Sequence, residues 1–518
     1  MSAQAGATGG RGGVLPARFL RSATANYLNS LAALLMALFA TPILVRGLGK
    51  EAYGTWTLVT SSVLYYSLLQ FGLGRATVKF LASAQAVGDL DRARRVISTS
   101  FLSLSVPALA LIAASPGIAF LFPEIFHLPE GYRTAAMVLV VLSTIDFAIG
   151  MPSDTFGGAL VGLQRFDLLN ATATGTALAQ VVSWIVIIAL GGGLVPLGIA
   201  TLTFSVTSNF VRYAMVRRLL GGVHIGRSTF ERPLVRPMLA MSSWIAVSDL
   251  VEIVTLRLDP VIVALVGGIP QVAVYSVGQK LSAFVERFTG PALAMFFPHA
   301  AALSAFDDHE EIRRTLLAGT RLALALTLPL TLVVSVLASP AIRLWVGSGF
   351  GDAAMVTVFL ALTSLVVSVP RVGIYVLRGM GDVSFIAKIG LVEAAINLGA
   401  SVALGHAMGI KGVALGTLIG VVVNHLGIML TYVCRRLGVG VAALVATILR
   451  AHLLPVAASL AVGLALQSFA RGGVPQLGAA GLAVVGLYAG LFAFTGLSSD
   501  ERRRLRQLGA QRLRRAAA

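Results

Sequence analysis

Charge is what this sequence has least of. Asp, Glu, Lys and Arg make up 12% of its 518 residues, hydrophobic residues make up 57%, and mean hydropathy is +0.86. A soluble domain carries roughly twice that charged fraction. So few polar groups cannot cover a chain of this size in water, and lipid must be the solvent for most of its exterior. Cysteine is scarcer still. Cys434 is the only one, which excludes intrachain disulfides and cysteine-based metal centres and leaves the redox compartment open. No Walker A sequence is present, which counts against ATP hydrolysis within the chain. Alternating ten-residue strands are also missing, so a membrane barrel does not fit.

What is present is a series of long apolar runs. Fourteen spans are expected, near 23–45, 54–74, 96–121, 133–153, 168–190, 194–215, 238–266, 271–298, 316–339, 353–376, 384–406, 411–433, 442–468 and 475–496. In hydrocarbon every backbone polar group must be satisfied internally, and helices of this length do so. The expected fold class is therefore an all-α polytopic membrane protein. Net charge is +18 and the pI is 10.9. With the N-terminus inside, Lys and Arg fall overwhelmingly in cytoplasmic segments, so the basic balance reads as topology and not as nucleic-acid binding. Both termini are expected in the cytoplasm. The basic tail from Arg502 to Arg515 would lie against anionic headgroups. No cleavable signal peptide is evident in residues 1–22, and the first apolar run reads as a signal anchor.

The longest interior basic connection, Arg217 to Arg236, leaves six spans before it and eight after it. Short internal matches follow in order. Thr41 to Val45 (TPILV) aligns with Asp259 to Val263 (DPVIV) at an offset of 218, which also sets Gly49 on Gly267. Asp91 to Arg95 aligns with Glu310 to Arg314 at 219, and Leu197 to Ala200 with Lys411 to Ala414 at 214. The expected organisation is a cytoplasmic segment 1–22, a six-helix bundle 23–216, a linker 217–237 and a second six-helix bundle 238–436. Two additional helices at 437–497 and a basic tail 498–518 complete it. Two even-numbered bundles are parallel repeats about an axis normal to the membrane, with a cavity between them. The charged joins 83–95 and 299–315 read as short surface helices.

Two stretches resemble a known family. Arg46 to Trp56 (RGLGKEAYGTW) through Gln70 to Phe80 (QFGLGRATVKF) looks like the first outward loop and second helix of polysaccharide-biosynthesis membrane proteins. These are the lipid-linked oligosaccharide flippases of the multidrug/oligosaccharidyl-lipid/polysaccharide (MOP) exporter superfamily. Arg378 to Asp382 (RGMGD), Asn397, and Gly409 to Gly416 (GIKGVALG) resemble the same family's tenth-to-twelfth helix region. The resemblance implies two rocking six-helix lobes in a bacterial cytoplasmic membrane, with no cofactor and no covalent chemistry. It also implies a cargo of undecaprenyl-pyrophosphate-linked oligosaccharide, and a polysaccharide polymerase or glycosyltransferases as working partners.

Charges within spans are costly and need a reason. Asp249, Glu252, Arg257 and Asp259 lie in the seventh span, and Lys280, Glu286 and Arg287 in the eighth. On one continuous helix Asp249, Glu252 and Asp259 would fall within about 80° of one another. Either these seven charges neutralise one another as structural ion pairs, or Arg257, Lys280 and Arg287 line the cavity and hold the pyrophosphate through charge-assisted hydrogen bonds. Arg75, Lys79, Arg371 and Arg378 sit near the inner mouth, as topology signals or as headgroup-capturing groups. Glu393 and Asn397 share a helix face at i, i+4. With Thr417 and the acids Asp249 and Glu252 they would form an oxygen-rich site, which the resemblance implies couples movement to Na+ or H+. Asp146, His406 and His425 are isolated along the sequence.

Two relatives compete with this reading. A cation-coupled multidrug antiporter of the same superfamily commonly carries an Asp in its first helix, and residues 23–45 hold no acid. A peptidoglycan-precursor lipid flippase would carry several Arg in the outer part of helices 1 and 2, where Arg46 is the one clear candidate. A membrane enzyme would need paired carboxylates or a catalytic His in a large outward loop. Glu124, His127 and Glu130 form the only such cluster.

Overall fold

The computed structural model describes residues 17–70, 73–294, 309–380, 382, 384–497 and 501–503. Every regular element among them is helical. The first half holds α1 (Ala17–Val63), a 3-10 helix (Leu64–Gln70), α2 (Leu73–Ala86), α3 (Leu90–Ile125), α4 (Glu130–Gly162), α5 (Phe166–Ala189) and α6 (Leu194–Leu219). After a connection come α7 (Arg232–Leu256), α8 (Asp259–Gly267) and α9 (Ile269–Ala294), then α10 (His309–Val336) and the short α11 (Ala338–Trp345). Next are α12 (Ala353–Gly379), α13 (Ser384–Met408) and α14 (Ile410–Val421), which runs through a π-helix (Val422–Met429) into α15 (Leu430–Arg436). The chain closes with α16 (Val441–Ala465), α17 (Gln467–Ala470) and α18 (Val474–Thr495).

Ten helices among the described residues are long and apolar enough to cross a membrane. They coincide with ten of the fourteen expected spans. The other four, 23–45, 54–74, 238–266 and 271–298, fall on α1 with the 3-10 helix, on α7 and α8, and on α9. The side chains of 17–35 and 241–249 lie outside the described residues, the helix gives way to a 3-10 turn after Val63, and α9 carries Lys280, Glu286 and Arg287.

The interruptions correct the sequence reading in two places. The span expected at 238–266 is not one helix. It breaks at Arg257 and Leu258, and α8 starts anew with Pro260 in its first turn. Proline has no N–H to give to a preceding turn, so it suits a helix start and not a helix interior. Asp259 therefore belongs to α8 and not to the helix that carries Asp249 and Glu252. The expected surface helix at 83–95 is also absent. Asp89 caps α3 by accepting from Arg92 N at 2.8 Å, and Asp91 to Arg95 form the first turns of that long helix. Glu310 to Arg314 likewise belong to the start of α10. Residues 299–308 of the second expected surface helix lie outside the described residues.

The backbone repeats along the chain. Left-handed residues pair at offsets of 217 to 220: Gly49 (φ 80°) with Gly268 (φ 76°), His127 with Gly347, Gly191 with Gly409, and Gly221 (φ 65°) with Gly438 (φ 64°). Gly49 and Gly268 agree in ψ as well, at 173° and 176°. A positive φ is open to glycine at little cost, so these sites mark equivalent turns.

Among the described residues the cores of the two halves share one large cluster at one end. There Tyr53, Trp56, Phe122 and Leu139 share one buried cluster with Val263, Tyr275, Phe350 and Val413. At the other end the clusters are separate. Leu81, Ile97, Phe156 and Leu220 pack within the first half, and Leu316, Val376, Val433 and Leu437 within the second. The start of α7 crosses this division, since Met238 and Leu234 pack with Leu73, Leu104 and Leu111 of the first half. Glu231, just before α7, is ion-paired to Arg95 and donates its backbone N–H to Thr99.

Candidate functional site

In the second half three helices are drawn together by small residues. A Cβ added at Gly412 would stand 1.9 Å from the Leu404 carbonyl oxygen, at Gly416 2.4 Å from the Ser401 nitrogen, and at Gly420 3.0 Å from the Asn397 Cα. This stripe lets α14 lie against α13, backbone on backbone. A second contact, Gly390 against Val251, seats α13 on α7.

Polar groups fill the resulting junction. Asp259, at the start of α8, is buried and accepts from Tyr275 Oη at 2.5 Å and from Thr417 Oγ1 at 3.2 and 3.3 Å. Glu393, also buried, accepts from Asn424 Nδ2, and His425 Nδ1 stands 3.7 Å from its carboxylate. Asn424 and His425 are consecutive, and the π-helix that carries them has a smaller turn angle per residue than an α-helix. Both can therefore face α13, and π-helical turns frequently mark functional sites. Asn397 Nδ2 donates to the Thr255 carbonyl at 3.4 Å. Among the described residues Asn397 Oδ1, Asn424 Oδ1 and Thr255 Oγ1 are buried with no hydrogen-bond partner. Buried acceptors of this kind are costly and ask for an explanation. The interface thus buries two carboxylates, Asp259 beside Thr417 and Glu393 beside Asn424, each with its own hydrogen-bond donors.

The expected site residues are distributed as follows. Glu393, Asn397 and Thr417 come together in this junction. The side chains of Asp249, Glu252 and Arg75 lie outside the described residues. Lys280 is half-buried and reaches into the first half, donating to Tyr53 Oη at 2.6 Å and to Thr41 Oγ1 at 3.5 Å. Its ammonium also lies 5.1 Å from the Tyr53 ring centroid. Glu286 accepts both terminal nitrogens of Arg371, at 2.8 and 3.0 Å. The Arg257 carbonyl accepts from Tyr65 Oη at 2.9 Å, across the two halves. Arg257, Arg287, Lys79 and Arg378 are exposed. Two acids among the seven charges have partners outside the seventh and eighth spans. Glu286 pairs with α12, and Asp259 is held by hydroxyls.

Sequence reasoning missed Tyr53, Tyr275, Asn424 and His425. Tyr275 and Asn424 sit among apolar neighbours with no motif to mark them. His425, isolated along the sequence, is next to Glu393 in space.

Two lobes of membrane-crossing helices, packed together at one end, with buried carboxylates in one lobe, make up a polytopic membrane fold. Residues 43–355 match the family model described as polysaccharide biosynthesis protein. That is more than half of the chain, and the chain belongs to this family. Among curated proteins it is 22% identical over 337 residues to the uncharacterized membrane protein EpsK of Bacillus subtilis (strain 168). That match covers 64% of this chain and 66% of the Bacillus protein, just under two thirds of it. It is 24% identical over 325 residues to a Shigella flexneri protein named as a candidate O-antigen transporter, covering 61% of this chain and 74% of that protein. Among solved structures an inward-facing multidrug resistance MATE family transporter of the MOP superfamily superposes with a TM-score of 0.68 at 18% identity. It covers 81% of this chain and 98% of that one. The lipid II flippase MurJ, in an inward closed conformation, superposes with 0.64 at 12% identity, covering 91% and 98%. At these identities the likeness is one of fold. The chain is a multi-pass membrane protein of the polysaccharide biosynthesis family, and its fold is the one seen in these transporters.

Proposed function

We propose that this protein is a flippase that carries an undecaprenyl-pyrophosphate-linked oligosaccharide from the inner to the outer leaflet of a bacterial cytoplasmic membrane. The single observation that carries the reading is the asymmetry of the core: one apolar cluster common to both lobes at one end, separate clusters at the other. Lobes joined at one end and bridged at the other only by the segment entering α7, among the described residues, suit alternating access. Fourteen crossings, with both termini in the cytoplasm, make the sealed end the outward one. The bundles are 23–216 and 238–436, and helices 437–497 are an addition.

The physical task is plain. A pyrophosphate and its sugars lose their water in hydrocarbon at prohibitive cost. A polar path between the lobes lets the headgroup cross while the lipid tail stays in the bilayer. Lys79, Arg75 and Arg378 are the groups that meet the headgroup at the inner mouth, and Arg257, Lys280 and Arg287 hold its phosphates further in. Guanidinium groups suit phosphate oxygens through forked hydrogen bonds. Glu393, Asn397 and Thr417, with Asp249 and Glu252, bind the coupling Na+ or H+. The family, and the Shigella relative named for O-antigen, support a polysaccharide precursor as the cargo class. Polymerase or glycosyltransferases act on the same lipid before and after it crosses.

Depletion tests the reading. Lipid-linked oligosaccharide should build up in the inner leaflet, measured by protection from an enzyme or lectin added outside. A normal distribution between leaflets on depletion overturns it.

A further inference from the structure

The start of α7 carries two cations that the transport scheme above does not use. A cavity of about 610 Å³ opens there, lined by Arg232, Pro233, Arg236, Pro237 and Ala240. Arg232 and Arg236 stand one turn apart, and among the described residues neither guanidinium has a hydrogen bond or an ion pair. Arg95, by contrast, is taken up by Glu231, the residue just before α7. At about 100° per residue the five lining positions fall within an arc of about 140°. Leu234 and Met238, which pack on the first half, point to the other side of the helix. Further along, Val251 returns to the lining arc, and Val251 meets Gly390 of α13. The cavity therefore opens away from the first half and toward the second, at the end where their clusters are separate. The segment that bears it is fastened to the first half. Glu231 donates its backbone N–H to Thr99 Oγ1 at 2.9 Å, and the Ser98 and Thr229 hydroxyls lie 2.7 Å apart. Arg94 donates to the Leu220 carbonyl at 2.6 and 3.1 Å.

We propose that Arg232 and Arg236 form an entry site for the diphosphate of the lipid-linked cargo, and that this site moves with the first lobe. The inference rests on the reading of the cargo as an undecaprenyl-pyrophosphate-linked oligosaccharide. Two guanidiniums separated by a rise of about 6 Å can each take one phosphate through forked hydrogen bonds. A phosphodiester brings a single charge and leaves one arginine unanswered, and an ammonium is repelled by both. Among the described residues no acid lines the cavity, so no side chain there competes for the anion. A cavity of this size admits a sugar together with the diphosphate. Because the linker is held on α3, the two arginines travel with the first lobe although they follow that linker in sequence. Arg257, Lys280 and Arg287, proposed above for the same phosphates, are borne by the second half. The headgroup thus passes from cations of one lobe to cations of the other as the lobes rock.

The test uses the purified full chain in nanodiscs of phosphatidylcholine, with undecaprenyl pyrophosphate as the probe. Arg232→Gln and Arg236→Gln should each weaken its binding about tenfold or more, as expected of hydrogen bonds to charged groups. Arg232→Lys and Arg236→Lys keep the charge but lose the fork, and should retain part of the affinity. Arg217→Gln removes an exposed cation of α6 that does not line the cavity, and should leave binding unchanged. Phosphatidylglycerol added to the nanodisc should not displace the probe. Normal affinity in both glutamine variants, or an equal loss in Arg217→Gln, would overturn the inference alone. Displacement by phosphatidylglycerol would overturn it too, by assigning the cavity to an ordinary phospholipid. No binding of undecaprenyl pyrophosphate by the unaltered protein would overturn the cargo reading, and this inference with it.

Discussion

Lys280 on α9 donates a 2.6 Å hydrogen bond to Tyr53 on α1, joining the two halves of the molecule through a fully buried phenol. The same ammonium lies over the Tyr53 ring, and Thr41 beside it is a weaker acceptor. Around this pair Trp345 Nε1 donates to the Leu38 carbonyl at 2.6 Å, and Arg46 donates to the Trp345 carbonyl at 3.3 Å. The seal is thus apolar packing closed by a few directed bonds, and opening it must break them.

Removing the phenolic oxygen isolates one of those bonds. Tyr53→Phe keeps the ring and its contact with the ammonium but deletes the acceptor. A hydrogen bond to a charged group contributes about 1.5–3 kcal/mol, so the open population should rise at least tenfold. The measurement is maleimide labelling of an Ala52→Cys reporter, 5% exposed in the seal, on a Cys434→Ala background. Labelling at the unaltered rate would mean that the bond does not hold the lobes together.

Glu393 is the group to neutralise in the junction. Glu393→Gln preserves shape and can still accept from Asn424, but it removes the charge that a coupling ion would balance. Transport should fall about tenfold or more, and its dependence on Na+ or on pH should flatten, because the step that binds the ion is lost. Thr417→Ala, which takes one donor from Asp259, should give a smaller effect in the same direction. Transport by Glu393→Gln at the normal rate, with normal ion dependence, would remove Glu393 from coupling.

Helix approach makes a separate prediction about stability. The Cβ of Gly416→Ala would meet Ser401 backbone atoms at 2.4 and 2.5 Å, and backbone cannot step aside as a side chain can. Overpacking of this kind costs about 1–3 kcal/mol. Gly427→Ala, in the π-helix, meets nothing within 4 Å and is the control. Thermal denaturation in detergent should separate the two variants by several degrees, and coincident transitions would contradict the close packing.

The architecture was legible in the sequence because lipid imposes long apolar helices, and because a duplicated chain keeps its turns in register. Gly49 and the aligned Asp–Pro of the second half pointed to the repeat, and the backbone pairs Gly49 with Gly268, one position beyond the sequence alignment. Glu393 and Asn397 were legible as one face of a helix. The break before Asp259 was not, since a continuous apolar run does not reveal where Pro260 restarts the helix. Nor was the meeting of His425 with Glu393, which depends on a π-helical turn that no local spacing announces.

The last two helices are fastened by a buried histidine, and its chemistry fixes how. His452 Nε2 lies 3.1 Å from the Arg321 carbonyl of α10, and Nδ1 lies 2.8 Å from Tyr488 Oη of α18. A carbonyl only accepts, so Nε2 carries a proton, and in the neutral ring Nδ1 then accepts from the phenol. One neutral ring thereby ties α16 to both neighbours, with Phe492 stacked 5.1 Å from it and Arg321 paired to Glu501 at 2.5 Å. Tyr488→Phe deletes one bond and leaves Nδ1 without its donor, at a cost of about 1–3 kcal/mol. His452→Ala deletes both bonds and leaves a cavity, and should cost more, about 3–5 kcal/mol. Limited proteolysis between α15 and α16, at residues 437–440, should then release the terminal pair faster in the order His452→Ala, Tyr488→Phe, unaltered protein. Equal cleavage rates in all three would mean that lipid-facing packing alone retains these helices, and that the histidine is incidental to their attachment.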